Sequence, residues 1–521
     1  MIPKRKIIEW LIDVSVVLLL IACLWVPDAS KALARGYVWT QFQHWDQNIM
    51  MPGLGFTHGL GLNSDIFSPW GAGAVVVISR LAQLLGGFDY AHVLQVLMSM
   101  AILYYVLFYF FVKSWLGETL LAVFAVAVAV KIQMFHAGIS PLIWNFPQDT
   151  PVRHLLDLIV LLCLFKHARS FQIKYLAAAA IGIAASLAWV PSTGLCLLAA
   201  FWGYVIYLLI NSQYRACVCA DFNAARWLFI CSVVPFLAAG EVWKNIHEPL
   251  QLFLLSSGTV SIYTCLYDRH FFAFITGFAI PIIYAWTFIV TKDIFVIPLC
   301  IYGLALYTHY LAQSTTSHYY AVAIPLVLVI CWWASLFLKR FNPAIAVKML
   351  LCLSLGAWSA LFTNIFFVYY PNIFDISRMD WSPEKNMYLV QSHFDQDAAM
   401  IDRLTTQDQP VALISSFETQ ILIQAKRKPF FYYAPLVTSE RLDINGFAGT
   451  TIYTQERLSK TLNQIMQQAP DYIFIEKRLL GQWPAQYAQS FPGIIIVLRD
   501  VLQHYQPQEQ GMYLIALHKK I

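Results

Sequence analysis

Charged residues are scarce in this sequence. Only 12% of its 521 residues are Asp, Glu, Lys or Arg, whereas 59% are hydrophobic. Soluble globular domains carry about 25% charged and about 45–50% apolar residues, so this chain has too little charge to cover a water-exposed surface. The composition therefore excludes an ordinary cytosolic enzyme, a disordered chain and a collagen-like chain. It indicates a protein that crosses the bilayer many times and has one soluble part.

Cysteine is absent from the last 151 residues, and all ten cysteines precede residue 371. Most lie in apolar runs, where cysteine behaves as a small hydrophobic residue, so we expect no disulfide framework. Cys217 and Cys219 form a lone C-x-C without a neighbouring histidine or second cysteine pair, which argues against a zinc site. The net charge of +5 is mild, and cytoplasmic loops of membrane proteins carry such an excess. We therefore expect no nucleic-acid partner.

Long apolar runs fill residues 1–370. A helix needs about 20 apolar residues to cross the bilayer, and we predict eleven such helices. The first run follows a basic N-terminus, as in a signal peptide, but no small-residue cleavage site clearly follows it, so we interpret it as a membrane helix. The predicted spans are 7–27, 92–113, 117–136, 153–167, 175–191, 193–211, 226–243, 271–290, 294–312, 319–338 and 346–369.

Lysine and arginine are concentrated in the short loops on one side of these spans. Such loops face the cytoplasm in membrane proteins, so the bias predicts a cytoplasmic N-terminus. An odd number of spans then places residues 371–521 on the outer side, which is the periplasm in a bacterium. We expect a multi-pass protein of the bacterial inner membrane.

The residues after 370 differ in composition, because Gln, Asp, Glu and Lys become frequent and short apolar runs alternate with helical patterns. This pattern predicts a soluble α/β domain at 371–521. Residues 1–370 are predicted to form a transmembrane domain of about 11 helices with a long first outer loop at 28–91. The strands are predicted at 411–415, 472–476, 494–498 and 512–517, and the helices at 419–426 and 455–468.

The first outer loop contains two amphipathic stretches, at 30–44 and 74–85. In the second, Val75, Ile78, Ala82 and Leu85 fall on one side of a helix. We expect both stretches to lie along the membrane surface.

The same loop carries two short motifs, HWDQN at 44–48 and GLGLNSD at 59–65, followed by Pro69 and the 74–85 stretch. This order resembles the first outer loop of membrane glycosyltransferases of the GT-C fold. In those enzymes an acidic motif precedes a glycine turn and an amphipathic helix. The outer C-terminal α/β domain and the SHYY stretch at 317–320, which enters an apolar span, are also similar to that superfamily.

The resemblance implies transfer of a sugar from a polyprenyl-phosphate donor to a glycan, lipid or protein acceptor outside the membrane. Asp46, and with it Asp65, would be catalytic, because a partly desolvated carboxylate is a suitable general base. Trp45, Gln47 and Asp149 are candidates for substrate binding. The donor phosphate needs cationic partners at the membrane boundary, and the candidates are Arg153, His154, Lys131 and His318.

Gln47 departs from the pattern, because it replaces the second acid of the common Asp-Glu pair. If two carboxylates are needed, the second must be Asp65 or Asp149. A divalent cation prefers several carboxylate oxygens, so the sequence does not support a metal site, and we expect no cofactor.

Simpler interpretations compete for several of these residues. Lys131 lies inside an apolar run, where an ionisable group is commonly functional, but its amine can also extend to the interface. Arg153 can anchor its helix at the interface, and Trp45 can belong to the interfacial aromatic belt. Any single outer-loop acid can be a solvated loop charge or a helix cap.

Two other classes of function remain open. Because Gln47 replaces an acid, the chain can be a non-catalytic protein of envelope assembly with a degenerate GT-C fold. A lipid or solute transporter is the other alternative. The sequence favours it less, since we find no internal repeat and the charges lie on loops rather than in mid-membrane.

Overall fold

The computed structural model divides the chain into two compact units, each built from separate stretches of sequence. The helical unit comes from residues 1–26, 97–246 and 260–378, and the mixed unit from residues 27–96, 247–259 and 379–521. The structure describes residues 4–25, 45, 49–62, 71–135, 151–218, 226–235, 237–238, 271–291, 293–312, 323–369, 394–415, 417–430, 463–480, 499 and 501–520.

Apolar helices make up nearly all of the described helical unit. Each of the eleven predicted spans overlaps a helix, and the molecule is a membrane protein. The helices between residues 4 and 369 are α1 (Lys4–Leu24), α2 (Met51–Thr57), α3 (Ala72–Leu85), α4 (Tyr90–Leu116), α5 (Thr119–Phe135), α6 (Leu155–Ser170), α7 (Ile173–Trp189), α8 (Pro191–Ile210), α9 (Ser212–Val218), α10 (Arg226–Pro235), α11 (Phe271–Val290), α12 (Val296–Ala312), α13 (Ile324–Leu338) and α14 (Pro343–Tyr369). Of these, α2 and α3 belong to the mixed unit.

Four of the described helices have the length and composition needed to cross a membrane, and others are shorter apolar helices, so the number of spans stays a prediction. The four are Lys6–Leu24, Tyr90–Leu116, Pro191–Ile210 and Pro343–Thr363.

Glycine and proline mark the boundaries between neighbouring helices. Gly117 has a positive φ of 74° between α4 and α5, which glycine adopts without steric cost. Pro191 occupies the first turn of α8, where its missing N–H is not needed.

Most helices of the helical unit pack against the next helix in sequence, and some also pack against more distant helices. Helices α6, α7 and α8 pack consecutively, α8 packs on α12, and α12 packs on α11 and α13. A Cβ atom at Gly303 of α12 would lie 2.2 Å from Cζ of Tyr284 on α11. Only glycine permits this approach, as small residues do elsewhere between membrane helices.

The mixed unit contains a four-stranded sheet of order β1-β2-β4-β3. Strands β1 and β2 are parallel, and β4 pairs antiparallel with both β2 and β3. Buried apolar side chains of the sheet and its helices form one core. The elements are α15 (Asp395–Leu404), β1 (Ala412–Ile414), α16 (Glu418–Gln424), α17 (463–468), β2 (Tyr472–Glu476), α18 (Lys477–Leu480), β3 (Tyr505–Gln510) and β4 (Leu514–Lys519).

Residues of the first loop belong to this same core. Met51 and Leu54 of α2 are buried with Phe394, Leu413 and Phe474. Helix α2 also packs on α3 and on α16. The first loop and the C-terminal residues are therefore parts of a single compact unit.

Most predicted elements of the C-terminal region are confirmed where the structure describes them. The predicted strands at 411–415, 472–476 and 512–517 correspond to β1, β2 and β4, and the predicted helix at 419–426 corresponds to α16. Part of the helix predicted at 455–468 is α17. Strand β3 was not predicted, because its sequence YQPQEQ is polar and contains a proline. The strand predicted at 494–498 lies outside the described residues.

Helix α3 confirms the predicted helix but not the placement of its apolar side. Val75, Ile78 and Ala82 are fully buried against protein, whereas Leu85 is 54% exposed. Most of the predicted face therefore packs within the mixed unit, where α3 contacts α2, and the expectation that the stretch lies along the membrane surface stays a prediction. The stretch at 30–44 lies outside the described residues.

Candidate functional site

A buried polar cluster lies where the chain enters α6. A 3₁₀ turn, Pro151–His154, precedes the helix, and it buries Val152 and His154. Pro151 suits the start of such a turn because its ring fixes φ. The indole Nε1 of Trp189, at the end of α7, donates a hydrogen bond of 3.0 Å to the carbonyl of Val152. This bond ties the turn to the neighbouring helix.

Arg153 is the half-exposed member of the turn. Its Nη2 donates a hydrogen bond of 2.7 Å to the hydroxyl of Ser192, near the start of α8. A guanidinium held in one orientation is well suited to a phosphate, because its planar fork matches the oxygens. The N-terminus of α6 lies directly after the turn, and its dipole also favours an anion.

His154 and Asp157 form a pair in the interior of the helical unit. The imidazole Nδ1 of His154 lies 2.8 Å from Oδ2 of Asp157, and the two residues are 4% and 2% exposed. The hydroxyl of Tyr302, on α12, donates to the same carboxylate oxygen. Because a carboxylate accepts hydrogen bonds, the Nδ1–H of His154 is the donor in this pair.

One oxygen of this pair, Oδ1 of Asp157, is buried and has no hydrogen-bond partner within the described part of the chain. Gln133, on α5, accepts a hydrogen bond of 3.0 Å from the hydroxyl of Tyr105. Buried polar atoms are nearly always satisfied, and an acid inside a membrane protein marks a functional site more often than not. A bound polar group would find a partner in Oδ1 of Asp157.

The sequence-predicted phosphate ligands divide into three groups. Arg153 and His154 lie in the cluster, one half-exposed and one buried. Lys131 lies in the last turn of α5, where Nζ donates to the carbonyl of Phe135 at 3.2 Å. A cation at that position is stabilised by the end of the helix. His318 lies outside the described residues.

Most of the predicted site residues of the first loop, namely Asp46, Gln47 and Asp65, lie outside the described residues. The same holds for Asp149, which belongs to a later loop. Trp45 is described and is 3% exposed. Its ring packs against Tyr90 at a centroid distance of 6.3 Å. This burial leaves little of the Trp45 ring surface for stacking on a sugar.

The sequence reasoning missed Asp157, Tyr302, Ser192 and Gln133. Asp157 carried a usable signal, because it lies inside the apolar run 153–167 and three residues after His154, on the same side of a helix. Tyr302 and Ser192 carry none, since tyrosine and serine are common in membrane helices. Within the described residues, no group of three His, Cys, Asp or Glu side chains could hold a metal ion.

A comparison with protein-family models finds no match, and neither does a comparison with curated protein sequences. Solved structures do match along nearly the whole chain. ArnT from Cupriavidus metallidurans bound to undecaprenyl phosphate superposes with a TM-score of 0.52 and 11% identity, covering 96% of this chain and 97% of that one. The apo form of the same protein gives a TM-score of 0.47 and 13% identity, with the same coverage.

The oligosaccharyltransferase of Archaeoglobus fulgidus, in complex with Zn and sulfate, matches with a TM-score of 0.48 and 12% identity. The match covers 96% of this chain and 72% of that one. ArnT is a GT-C fold glycosyltransferase, and its similarity to this chain extends over both proteins. The chain therefore has the GT-C fold.

Proposed function

We propose that this protein is a glycosyltransferase of the bacterial inner membrane that moves a sugar from a polyprenyl-phosphate donor to an envelope acceptor on the outer side. The observation that carries the proposal is the cluster of Arg153, His154 and Asp157 within a chain of GT-C fold. It offers an oriented cation and a buried acid–base pair at the predicted outer end of α6.

In this proposal Arg153 binds the lipid-borne phosphate through its planar fork, and the Ser192 hydroxyl keeps it aligned. The buried pair of His154 and Asp157 fixes the shape of the turn that carries Arg153. As the bond from the anomeric carbon to the phosphate oxygen breaks, its electron pair passes to the phosphate. Arg153 stabilises the charge that develops there, and preorganised donors of this kind contribute strongly to catalysis.

The acceptor hydroxyl attacks the anomeric carbon and must lose its proton. Asp46 takes this proton as general base, with Asp65 as the second carboxylate of the first loop. Trp45, Gln47 and Asp149 shape the sugar-binding region. General-base assistance typically contributes about 10²–10⁴-fold to a rate, so Asp46→Asn is expected to lower transfer by about that factor.

The mixed unit supports the proposed topology. Residues of the first loop and residues after 394 share one core, and two segments of one core lie on the same side of a membrane. An even number of crossings must separate them, and the ten spans predicted between residues 92 and 369 satisfy this condition. Both segments are then periplasmic when the N-terminus is cytoplasmic.

The decisive experiment measures binding of undecaprenyl phosphate to the purified protein by native mass spectrometry. Arg153→Ala should weaken binding at least tenfold, because a hydrogen-bonded charge is lost. Arg215→Ala removes an exposed arginine from the predicted cytoplasmic side and should leave binding unchanged. Equal affinity of the two variants would remove Arg153 from the donor site.

Transfer itself is tested by mass spectrometry of the envelope glycans of cells that carry wild-type protein, Asp46→Asn or no protein. A sugar that is missing with Asp46→Asn and in the absence of the protein supports catalysis. An unchanged glycan profile, together with intact lipid-phosphate binding, would favour the non-catalytic assembly role.

A further inference from the structure

A cavity lined by polar and apolar side chains lies at the opposite end of α6, among the helix ends that are predicted to face the cytoplasm. Its volume is about 350 Å³. The ends of α4, α6, α11 and α13 surround it, and the α11–α12 turn adds one acid. The polar and aromatic side chains that line it are Arg169, Lys339, Asp293, Ser335, Trp115 and Trp332.

The cavity has an excess of positive charge. Arg169 and Lys339 are exposed, and neither forms an ion pair within the described part of the chain. Asp293 is the one carboxylate among the lining residues, and its Oδ1 accepts the backbone N–H of Phe295 at 3.1 Å. Two cations and one carboxylate leave the lining with a net positive charge, which favours an anionic ligand.

Ser335 adds a polar residue to the wall of this cavity. It is 2% exposed, and its Oγ makes no hydrogen bond to any residue that the structure describes. Serine in a helix commonly bonds the carbonyl one turn earlier, so an unsatisfied Oγ in the cavity wall is unusual.

The cavity rests on a packed aromatic layer and is therefore preformed. Trp115 packs edge-on against Phe295 with ring centroids 5.1 Å apart, and Phe165 packs against the same ring at 5.5 Å. The Arg169 guanidinium lies 5.5 Å from the centroid of the Phe165 ring. Such contacts hold the cation in place before any ligand binds.

The cavity also has an apolar side that is open at the helix surface. Val290 and Leu336 line it, and they are 38% and 39% exposed. On a membrane-spanning helix such side chains contact lipid tails. A ligand of this cavity therefore has an anionic head for Arg169 and Lys339 and a hydrocarbon part for Val290 and Leu336.

We propose that this cavity binds the phosphate headgroup of an anionic glycerophospholipid, such as cardiolipin, from the cytoplasmic leaflet. Basic pockets between membrane helices on that side bind such headgroups, and the paired cations suit a phosphodiester. The site is separate from the Arg153 cluster, since 16 residues of helix span about 24 Å. It does not depend on the proposed transferase activity.

The test is native mass spectrometry of the full-length protein, titrated with cardiolipin and with phosphatidylcholine. The variant Arg169→Gln/Lys339→Gln is compared with Lys174→Gln/Arg215→Gln, which removes the same charges from exposed positions outside the cavity. Each cation that contacts the lipid headgroup should account for about a fivefold change in affinity, so the cavity variant should lose about 30-fold in cardiolipin affinity. The control variant should lose no more than about threefold.

Two further measurements keep the proposal falsifiable. Ser335→Leu fills the cavity without changing its charge, and it should also displace cardiolipin. Equal cardiolipin affinity of the cavity and control variants would overturn the site. Stronger binding of undecaprenyl phosphate than of cardiolipin, lost on changing Arg169 and Lys339 but retained in Arg153→Ala, would overturn the phospholipid assignment.

Discussion

The imidazole of His154 and the carboxylate of Asp157 are paired at 2.8 Å in the interior of a membrane protein, with almost no exposure of either side chain. Removal of one partner from such a buried pair is costly, because the other is left unsatisfied. The pair is therefore the most sensitive point of the candidate site.

Replacing Asp157 with Asn should lower donor affinity or transfer by about 10–150-fold, since a hydrogen bond to a charged group is lost. Tyr302→Phe removes one hydrogen bond to the same oxygen without changing the partner of His154, so it should cost less than Asp157→Asn. Wild-type donor affinity and transfer by Asp157→Asn would contradict a role for the pair.

Arg153→Lys keeps the charge at the turn but loses the planar fork, so it should not restore full affinity for undecaprenyl phosphate. Ser192→Ala leaves the guanidinium in place and removes its 2.7 Å bond. We expect a loss of about 2–10-fold for this variant, because a hydrogen bond to a charged group contributes modestly when the partner stays solvated. Titration with undecaprenyl phosphate measures the affinity of both variants. If Arg153→Lys binds as tightly as wild type, Arg153 acts only as an interfacial anchor.

Helix α1 is attached to α4 by a polar contact. Lys113 Nζ lies 2.6 Å from Asp13 Oδ1, and the Tyr109 hydroxyl donates to the same oxygen at 2.6 Å. Asp13→Asn should lower the free energy of unfolding by about 1–3 kcal/mol, seen as a lower Tm in detergent. The exposed Glu118→Gln is the control. The double variant Asp13→Asn/Lys113→Gln should recover part of the loss, and a purely additive result would show that the pair is not coupled.

The carboxylate of Asp397 in α15 accepts the backbone N–H groups of Tyr513 and Leu514 near β4. A Cβ at Gly511 would lie 2.1 Å from Oδ1, so only glycine fits there. Asp397→Asn should destabilise the protein, because an amide has one acceptor oxygen where the carboxylate has two.

The same residue gives a pH prediction with a definite sign. Burial raises the pKa of the Asp397 carboxyl above its ordinary value, and backbone N–H groups from Tyr513 and Leu514 partly oppose this rise. As the pH rises, the Asp397 carboxyl therefore loses its proton in the unfolded chain before it does so in the folded protein. Between the unfolded pKa and the folded pKa, the contribution of Asp397 to stability declines with rising pH. The Tm difference between wild type and Asp397→Asn should shrink from about pH 4 upwards. A difference that grows would show that the pKa is lowered.

Cysteine labelling tests the topology. Gln83→Cys in α3 and Gln508→Cys in β3 are exposed positions of the mixed unit, and both should react with an impermeant thiol reagent in intact spheroplasts. Lys174→Cys, in the first turn of α7 on the predicted cytoplasmic side, should react only after lysis. Wild-type protein gives the background from native cysteines. Opposite behaviour of Gln83→Cys and Gln508→Cys would be incompatible with a shared core.

Helices and strands with strong periodicity could be predicted from the sequence, because long apolar runs and alternating patterns are local signals. The boundary of α6 is an example, since Pro151 and the apolar run fixed its start to within two residues. Strand β3 could not be predicted, because its pairing with β4 decides its conformation and its own side chains do not.

Arg153 and His154 were predicted from their place at the start of an apolar run, which is a local property. Ser192, the partner of Arg153, lies 39 residues further along the chain, and Tyr302, which bonds the Asp157 carboxylate, lies 145 residues beyond Asp157. Such contacts depend on how α8 and α12 pack beside α6, and periodicity carries no information about that. The sequence predicted which side of α3 is apolar. It did not predict that this side is buried against other parts of the protein.

The core that joins α2 to the C-terminal strands has a consequence for the order of synthesis. About 340 residues separate Leu54 from Phe394, although both belong to one cluster. At a translation rate of about 5–20 residues per second, the second half of the core is made roughly 20–70 s after the first. During that interval Met51 and Leu54 lack the C-terminal side chains that bury them in the folded protein. A nascent chain that stops before residue 394 would leave this apolar surface open to chaperones and proteases, so quality control can detect truncation from the first loop alone.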